Sequence, residues 1–401
     1  MHLGEATFET CSGDRRSRLA MPVPKDRLIP DWVEGAGRFP TEGRRRRAVP
    51  TVQVAVIPGD GIGPEVVSEA VRVLDRAAGL APDLHFFYRW FDWGSDYFRS
   101  HGVMMPEDGL DILSGCDAIF LGAVGAPTVP DHVSLWGLLL PIRRGFDQYV
   151  NLRPTRLWPG VEGPLRRFGV GDIDFVVVRE NSEGEYSNMG GRLRPHTPQE
   201  VVVQNAVFTR FGVERIIRYA FDLARTRRGH VTGATKSNGI NFSMPFWDEV
   251  FNEVGEEYPD VKRDLVHVDA LAARFITAPD RLDVVVGSNL FGDILTDIAA
   301  AIAGSIGMGA AANLNPERTS PSMFEPVHGS APDIVGRGIA NPVGQILTAR
   351  MLLDHLGYPA VGRAIEAAVE STLADGIKTP DIGGQARTTE VTDAVIARLQ
   401  A

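Results

Sequence analysis

The sequence predicts an α/β fold in which short, largely buried strands alternate with helices. Short apolar runs bounded by Gly, Pro or polar residues recur along the chain, as expected for strands that are covered on both faces. Between two of these runs, residues 213–227 place apolar side chains at the i, i+3, i+4, i+7 spacing of an amphipathic helix. A glycine-rich turn at 58–63 joins a strand to a helix. These features together predict a sheet flanked by helices.

The first predicted strand is Val52–Ile57, and it is followed by Pro-Gly-Asp-Gly-Ile-Gly and a helix from Pro64 to about Ala78. Proline suits the first helical turn because its missing N–H would be unpaired there. The turn has the glycine content of a phosphate-binding loop, and a helix N-terminus can accept an anion. Its spacing differs from the G-x-G-x-x-G fingerprint, so the sequence does not favour a Rossmann dinucleotide-binding fold.

Six further apolar runs are predicted to be strands: Leu84–Phe87, Ala118–Leu121, Phe175–Val178, His230–Ala234, Leu265–Val268 and Val284–Val286. The clearest predicted helix is Val213–Arg227, with an apolar stripe of Val213, Ile216, Ile217, Ala220, Phe221 and Ala224. The uncharged stretch Ile298–Pro316 is interrupted by Gly and Asn, so it falls short of the roughly 20 apolar residues of a membrane span. We interpret it as a buried helix that runs into a loop, and we expect no membrane partner.

Composition narrows the class of protein. With 401 residues and 44% hydrophobic side chains, the chain can bury a large core, and we expect two lobes. The net charge of -10 disfavours a general nucleic-acid binder, because binding phosphates requires a positive surface. Cys11 and Cys116 are the only cysteines, so a disulfide framework is excluded and a cytoplasmic location is expected.

Residues 1–50 differ from the rest of the chain and are predicted to be a disordered N-terminal extension. They contain 10 Lys/Arg, 7 Asp/Glu and five prolines, and they show no lasting helix or strand period. The run Arg44–Arg47 is compatible with a nuclear or polyanion-binding signal. Four arginines in a loose segment are usually just solvated, and we favour that interpretation.

The segment Asn289–Gly307, NLFGDILTDIAAAIAGSIG, is predicted to be helical and carries Asp293 and Asp297 four residues apart. Residues at i and i+4 share one helical face, so the two carboxylates repel each other unless a cation lies between them. Two hard oxygen ligands suit a divalent metal ion. The alternative is a pair of acids stabilised by the helix dipole in the first turn. The apolar face of this helix is expected to comprise Ile294, Leu295, Ile298 and Ile302.

Candidate site residues also lie among the apolar runs. Arg143 and Arg153 occur in PIRRGFDQYVNLRP, and Arg179 ends a predicted strand in VVVRENSEGEY. Three arginines in one pocket would suit a dicarboxylate, because guanidinium binds carboxylate in a bidentate way. An arginine at a strand end that is followed by Glu is also typical of a structural ion pair. Tyr186 and Lys236 are candidates for proton transfer, with ordinary hydrogen bonding as the alternative.

Two later stretches carry further candidates. Asp269 follows the run Leu265–Val268, which is a usual place for a site residue in an α/β protein and also for a helix cap. The stretch Glu325–Ile334, EPVHGSAPDI, combines Gly, Ser and Pro with a His and an Asp. This composition suits a loop that grips a cofactor, although a generic turn has the same composition.

Together these motifs resemble one enzyme family. NLFGDILTDIAAAIAGSIG is similar to the signature of the decarboxylating 2-hydroxyacid dehydrogenases, which include isopropylmalate and isocitrate dehydrogenases. The resemblance runs from about Val52 to the C-terminus and includes Phe91–Asp96, Val129–Trp136, Gly145–Pro154, Arg179–Tyr186, Ala234–Gly239 and Ser322–Pro342. Within the family, five stretches are most similar to the decarboxylating D-malate and tartrate dehydrogenases: FDWGSDY, HGVMMPEDG, VPDHVSLWG, RENSEGEYS and ATKSNG.

The resemblance implies a two-lobed, isopropylmalate-dehydrogenase-like α/β fold, with a mixed sheet flanked by helices and distinct from the Rossmann fold. One lobe, on the cofactor side, would combine residues 51–148 with 305–401. The other, residues 149–304, would carry the substrate, metal and dimerisation contacts. The family also implies a homodimer with shared active sites.

The resemblance further implies a role for each candidate residue. Asp293 and Asp297 would bind Mg²⁺ or Mn²⁺, with Asp269 supplied by the other subunit. Lys236, also from the other subunit, would take the substrate hydroxyl proton, and Tyr186 would protonate the enolate that decarboxylation leaves. The substrate carboxylates would be held by Arg143, Arg153 and Arg179. NAD would be held by Glu325, His328, Gly329, Ser330, Ala331, Asp333 and Asn341.

The implied reaction is the oxidative decarboxylation of D-malate to pyruvate and CO₂, with tartrate as a second substrate. The alternative is a 3-isopropylmalate dehydrogenase of leucine biosynthesis. That enzyme typically has a glutamate where Trp136 stands and a valine where Gly239 stands. A catalytically silent regulatory subunit would lack the lysine, the tyrosine or a metal aspartate, and none of these is lost here.

Overall fold

The computed structural model describes residues 51–400, so the predicted extension at 1–50 lies outside the described residues. The strands are β1 (Thr51–Gly59), β2 (His85–Trp90), β3 (Ala118–Ala123), β4 (Val150–Arg156), β5 (Asp174–Glu180), β6 (Gly184–Leu193), β7 (Val201–Val207), β8 (His230–Thr235), β9 (Lys262–His267), β10 (Val284–Gly287), β11 (Ala310–Leu314) and β12 (Ser322–Pro326).

The helices are α1 (Gly63–Ala78), α2 (Ser95–His101), α3 (Gly109–Ser114), α4 (Asp131–Ser134), α5 (Leu140–Gly145), α6 (Arg210–Arg225), α7 (Ser243–Glu256), α8 (Val268–Thr277), α9 (Asn289–Ile302), α10 (Val343–His355), α11 (Pro359–Ala374) and α12 (Thr388–Arg398). A π-helical segment, Leu135–Leu139, joins α4 to α5. Within residues 51–400, no helix is long and apolar enough to cross a membrane.

Ten of these strands form one sheet, in the order β2-β1-β3-β12-β11-β4-β5-β10-β8-β9. The first four strands in this order are mutually parallel, and so are the last four. Between the two parallel groups, β11 and β4 are antiparallel to each other and to their outer neighbours, so the two groups run in opposite directions. The predicted α/β class with a mixed sheet is therefore confirmed, and the antiparallel centre distinguishes it from a Rossmann sheet. The two lobes stay a prediction, because one sheet runs through both.

The predicted strands overlap β1, β2, β3, β5, β8, β9 and β10, with two errors at their ends. Leu84 precedes β2, and Val268 begins α8 instead of ending a strand. The interpretation of 298–316 was wrong in its second half, because Ala310–Leu314 is strand β11. Its sequence, AAANL, has little β propensity. It forms a strand because it is buried and pairs on both sides, with β12 and with β4, and such tertiary pairing overrides propensity.

Helix α6 confirms the amphipathic pattern, since all six predicted stripe residues are fully buried. The helix begins three residues earlier than predicted, at Arg210, because the side chain of Thr209 accepts a hydrogen bond from Gly212 N at 2.9 Å and caps it. The stripe packs α6 against β5, β8 and β10. It therefore supports the half of the sheet that carries Arg179.

Helix α9 contains Asp293 and Asp297, but neither lies in its first turn. The helix-dipole alternative for this pair is therefore not supported. The prediction that Ile294 belongs to the buried face was wrong: Leu295 and Ile302 are buried, whereas Ile294 is 52% exposed. Residues three apart lie on the same side of a helix, and Ile294 therefore lies on the same exposed side of α9 as Asp297.

Candidate active site

The candidate site residues gather around Asp293 on α9. Its Oδ2 accepts a hydrogen bond from the hydroxyl of Tyr186 at 3.1 Å. Its Oδ1 accepts a hydrogen bond from the guanidinium of Arg179 and lies 3.5 Å from Nη1 of Arg153. Arg153 also donates to Oγ1 of Thr296 at 2.6 Å, one turn along the same helix. Strands β4, β5 and β6 thus bring two predicted substrate arginines and the predicted proton donor to one carboxylate.

The third predicted substrate arginine, Arg143 on α5, is paired elsewhere. Its Nη2 donates to Oε1 of Glu325 at 2.6 Å, and both side chains are buried. Glu325 also accepts a hydrogen bond from Nδ2 of Asn313 at 2.7 Å. Arg143, which is predicted to bind substrate, and Glu325, which is predicted to bind the cofactor, therefore form one buried ion pair.

The three arginines are nevertheless close enough to influence one another. Burial lowers the pKa of Arg179, and the positive charge of Arg153 lowers it further. Burial also lowers the pKa of Arg153, against the opposing effect of Asp293. The charge of Arg143 contributes to lowering both pKa values. Such a concentration of buried positive charge favours an anionic ligand.

Tyr186 and Asp297 respond to the same surroundings. Burial raises the pKa of Tyr186, and the negative charge of Asp293 raises it further, so the phenol stays protonated at neutral pH. Although Asp297 lies on an exposed side of α9, partial burial of its carboxylate raises its pKa, and the charge of Asp293 adds to the shift. A divalent cation between Asp293 and Asp297 would relieve this repulsion, so the pair fits a metal ion.

Lys236 and Asp269 form a separate pair. Lys236 follows β8 and Asp269 lies in the first turn of α8, after β9, so two adjacent parallel strands bring them to the same edge of the sheet. Nζ of Lys236 donates to Oδ1 of Asp269 at 2.9 Å, and this bond lowers the pKa of Asp269. Within residues 51–400, no group of three His, Cys, Asp or Glu residues is arranged to hold a metal ion. One chain therefore does not bring Asp269 to Asp293 and Asp297.

The predicted cofactor loop follows β12 and packs against the glycine turn. Ile62 N donates to the carbonyl oxygen of Ser330 at 2.9 Å, and a Cβ at Gly61, whose φ is +60°, would overlap that oxygen. Asp60 accepts hydrogen bonds from Ser95 and from Gly125 N, each at 2.7 Å. This turn thus brings three loops together, and at Gly61 the close approach requires a glycine.

Beside these loops lies a cleft of about 560 Å³ lined by residues 124–131 together with Gly329, Ser330 and Pro332. His328 is buried, and burial lowers its pKa, so the ring is neutral. Its Nδ1 lies 3.0 Å from the carbonyl oxygen of Gly329, while Nε2 has no partner among the described residues. Ala331 has a φ of +41° and Asp333 is exposed. The size of this cleft suits a cofactor pocket, and its lining includes Gly329 and Ser330 of the predicted cofactor loop.

Asn341, the last predicted cofactor residue, is engaged by the protein itself. Its Nδ2 donates to Asp381 at 3.0 Å, and its Oδ1 accepts a hydrogen bond from Val343 N at 3.0 Å. Asp381 also accepts a hydrogen bond from Ser305 at 2.6 Å. The amide side chain is therefore committed, and a cofactor role for Asn341, which stays a prediction, would use its backbone.

Comparison with known proteins identifies the family. Residues 53–395 match the isocitrate/isopropylmalate dehydrogenase family. The chain belongs to this family.

Among similar proteins, "Probable tartrate dehydrogenase/decarboxylase" of Bacillus subtilis (strain 168) is 55% identical over 87% of this chain and 98% of its own length. "D-malate dehydrogenase [decarboxylating]" of Escherichia coli (strain K12) is also 55% identical, over 86% of this chain and 98% of its own length. The crystal structure of isocitrate dehydrogenase from Methylococcus capsulatus has a TM-score of 0.78 at 35% identity, covering 87% of this chain and 100% of that chain. The protein is thus an enzyme of the decarboxylating dehydrogenase type.

In this dehydrogenase, the structure adds a residue that the sequence did not single out. Glu185, next to Tyr186 on β6, accepts hydrogen bonds from Oγ of Ser288 at 2.9 Å and from Leu290 N at 3.2 Å. It thereby caps the N-terminus of α9. One strand thus carries both the tyrosine that contacts Asp293 and the carboxylate that holds its helix. Nothing in local spacing indicates a contact across about 100 residues of sequence.

Proposed function

We propose that this enzyme catalyses the oxidative decarboxylation of D-malate to pyruvate and CO₂, with NAD as the oxidant and Mg²⁺ or Mn²⁺ bound, and that it also acts on tartrate. The observation that carries the proposal is the approach of buried Arg153 and Arg179 to Asp293 beside Tyr186, with buried Arg143 close enough to lower both pKa values. Three guanidinium groups match the two carboxylates of a C4 dicarboxylate. The names of the similar proteins from B. subtilis and E. coli support the same reaction.

Asp293 and Asp297, together with Asp269 of the partner subunit, would hold the metal ion. When bound, the metal would supply stabilisation of negative charge on the substrate oxygen at C2, and NAD would supply the hydride acceptor. Arg153 and Arg179 then hold a substrate carboxylate next to Asp293, and Arg143 holds the other carboxylate beside Glu325. In the absence of a ligand, both arginines contact Asp293, so the same carboxylate would serve the metal ion and lie beside the substrate carboxylate.

Two side chains of the protein move protons. Lys236 of the partner subunit accepts the proton of the C2 hydroxyl as hydride leaves. After the bond between C3 and the carboxylate has broken, Tyr186 donates its phenolic proton to C3. The raised pKa of Tyr186 suits this role, because it keeps the phenol protonated until the more basic carbon develops.

The proposed unit is a homodimer with shared active sites. Exposed apolar side chains lie near Lys236 and Asp269 and also near Asp293, the two groups of site residues that one chain keeps apart. They are Ile240 and the 90% exposed Phe242 after Lys236, Ile276 on α8, and Ile294 on α9. The β6–β7 hairpin adds the exposed side chains of Leu193, Val201, Val202 and Val203. Exposed apolar surface of this kind marks a protein interface, and two-fold pairing would supply Lys236 and Asp269 to the opposite Asp293.

The cofactor is expected to be NAD rather than NADP. The exposed carboxylate of Asp333 can accept hydrogen bonds from a ribose 2′-OH but repels a 2′-phosphate. We expect kcat/KM to favour NAD by roughly 100-fold, because like charges in contact cost several kcal/mol. Asp333→Ser should reduce that preference mainly by improving NADP. Asp83→Ser, at another exposed acid, serves as the control and should leave the ratio unchanged. A wild-type enzyme that prefers NADP would contradict the assignment.

The substrate order tests the proposed function most directly. Candidates differ at C3, where malate has hydrogen, tartrate a hydroxyl and isopropylmalate an isopropyl group. Trp136 adds bulk near this position, and an apolar pocket discriminates extra methylenes by only about 1–3 kcal/mol, so activities should overlap. We expect kcat/KM to be highest for D-malate, intermediate for tartrate and lowest for isopropylmalate, measured with NAD and Mn²⁺. A kcat/KM that is highest for isopropylmalate would overturn the proposal, and so would a higher kcat/KM for L-malate than for D-malate.

A further inference from the structure

Arg144, on α5 directly after Arg143, has an unusual set of contacts. Arg143 pairs with a carboxylate, whereas Arg144 donates a hydrogen bond from Nη2 to the backbone carbonyl of Tyr186. The same guanidinium lies 4.8 Å from the centre of the Trp136 ring, within the range of a cation–π interaction. Within residues 51–400 it takes part in no salt bridge, although it is half-buried. A half-buried charge that contacts a ring and a carbonyl holds those two groups in place.

The two groups that Arg144 holds belong to different parts of the site. Trp136 lies in the π-helical segment Leu135–Leu139, and such segments are frequent at functional sites. The proposed function places Trp136 beside the C3 substituent of the substrate. Tyr186 lies on β6, and its hydroxyl contacts Asp293. Arg144 therefore links a residue near C3 to the backbone of the residue that protonates C3.

We propose that Arg144 is a positioning residue that ties Trp136 to Tyr186, so that recognition of the C3 substituent and protonation of C3 depend on one guanidinium. This inference rests on the proposed function for its kinetic consequence. In the step concerned, the phenolic O–H bond of Tyr186 breaks, a C–H bond forms at C3 of the enolate, and solvent later returns the proton to the phenolate. Hydride transfer precedes this step and does not depend on it.

The kinetic test compares Arg144→Met with Arg89→Met. Arg89 is a matched control, because it also lies over an aromatic ring, that of Phe91 at 5.5 Å, and donates to a backbone carbonyl, that of Ile112 at 3.4 Å. In rapid mixing with D-malate and NAD, Arg144→Met should keep the rate of the first turnover of NADH. Its steady-state rate should then fall by roughly 10- to 100-fold, the size expected for losing a charged hydrogen bond. Arg89→Met should change neither rate.

A second measurement is independent of activity. The protein has seven tyrosines, so with 3-fluorotyrosine the ¹⁹F signal of Tyr186 can be identified by its loss in Tyr186→Phe. We expect Trp136→Phe to shift this signal in the wild-type background and to have no effect in the Arg144→Met background. Equal shifts in both backgrounds would overturn the link, as would a fall in the first-turnover rate of Arg144→Met equal to its fall in steady state. A wild-type enzyme inert towards D-malate would refute the proposed function, while the ¹⁹F comparison would still decide the link.

Discussion

Asp297→Asn is expected to abolish turnover while leaving the fold at least as stable as the wild type. In the absence of a cation, the raised pKa of Asp297 means that the folded state binds its proton more tightly than the unfolded state does. The ionised carboxylate therefore destabilises the fold at neutral pH, and this effect disappears as the pH falls below the ordinary pKa of aspartate. Asparagine removes the repulsion from Asp293 together with one metal ligand.

The measurements are kcat at saturating Mn²⁺ and the melting temperature with and without Mn²⁺. We expect kcat to fall by roughly 100- to 1,000-fold or more, as when other electrostatic groups that stabilise a transition state are removed. Mn²⁺ should raise the melting temperature of the wild type but not that of the variant. Asp280→Asn, at an exposed surface acid, is the control and should behave as the wild type. Full activity in Asp297→Asn would remove this residue from the site.

Asp293→Asn should also be inactive, but with a different effect on stability. Asp293 is the carboxylate partner of Arg153 and Arg179, so its neutralisation leaves two buried guanidinium groups without that charge. We therefore expect a lower melting temperature for this variant than for Asp297→Asn.

Activity should return when two inactive chains are combined in one dimer. Lys236→Met and Asp293→Asn should each be inactive alone, because each removes a group from every site. If Lys236 and Asp269 serve the partner's Asp293, a mixed dimer contains one site with both changes and one intact site. Random pairing of equal amounts should then give about a quarter of the wild-type activity. Co-expression gives the random mixture, and purification through two affinity tags isolates the mixed dimer, which should have about half of the wild-type activity and one intact site per dimer.

The control pair is Lys236→Met with Asp269→Asn. Both residues lie on the same side of the shared site, where they bond to each other at 2.9 Å, so every site in this mixed dimer is damaged. No recovery is expected. Absence of recovery in the first pair would mean that each chain builds its site alone, and equal recovery in both pairs would contradict the division of residues.

Local pattern predicted the parts of the fold in which neighbouring residues determine the structure. The stripe of α6 is buried as its spacing predicted, and the apolar run of β10 is a buried strand. Strand β11 was missed because alanines become a strand only through pairing on both sides. The exposure of Ile294 could not be predicted either, since it depends on which side of α9 faces the sheet.

The same distinction applies to the site. The spacing of Asp293 and Asp297 indicated two carboxylates on one helical face that could share a cation, and the structure places both on α9. The convergence of Arg153 and Arg179 on Asp293 depends on the sheet order, which no local pattern encodes. The pairing of Arg143 with Glu325 spans 182 residues of sequence and was not predicted. Individual residue roles came from family resemblance, and their contacts came from the fold.

The order of the sheet has a consequence for how the chain folds. Strands β11 and β12 lie between β3 and β4, although ribosomes make them more than 150 residues after β4 begins. Until residues 310–326 leave the ribosome, β3 and β4 each have an unpaired edge, and such edges promote aggregation. The contacts of β11 with β4, and of β12 with β3, also join residues far apart in the sequence. They therefore raise the contact order, which slows folding. The edges of β3 and β4 are therefore covered only after β11 and β12 have been synthesised. We expect this late pairing, rather than early local structure, to protect the enzyme from misassembly.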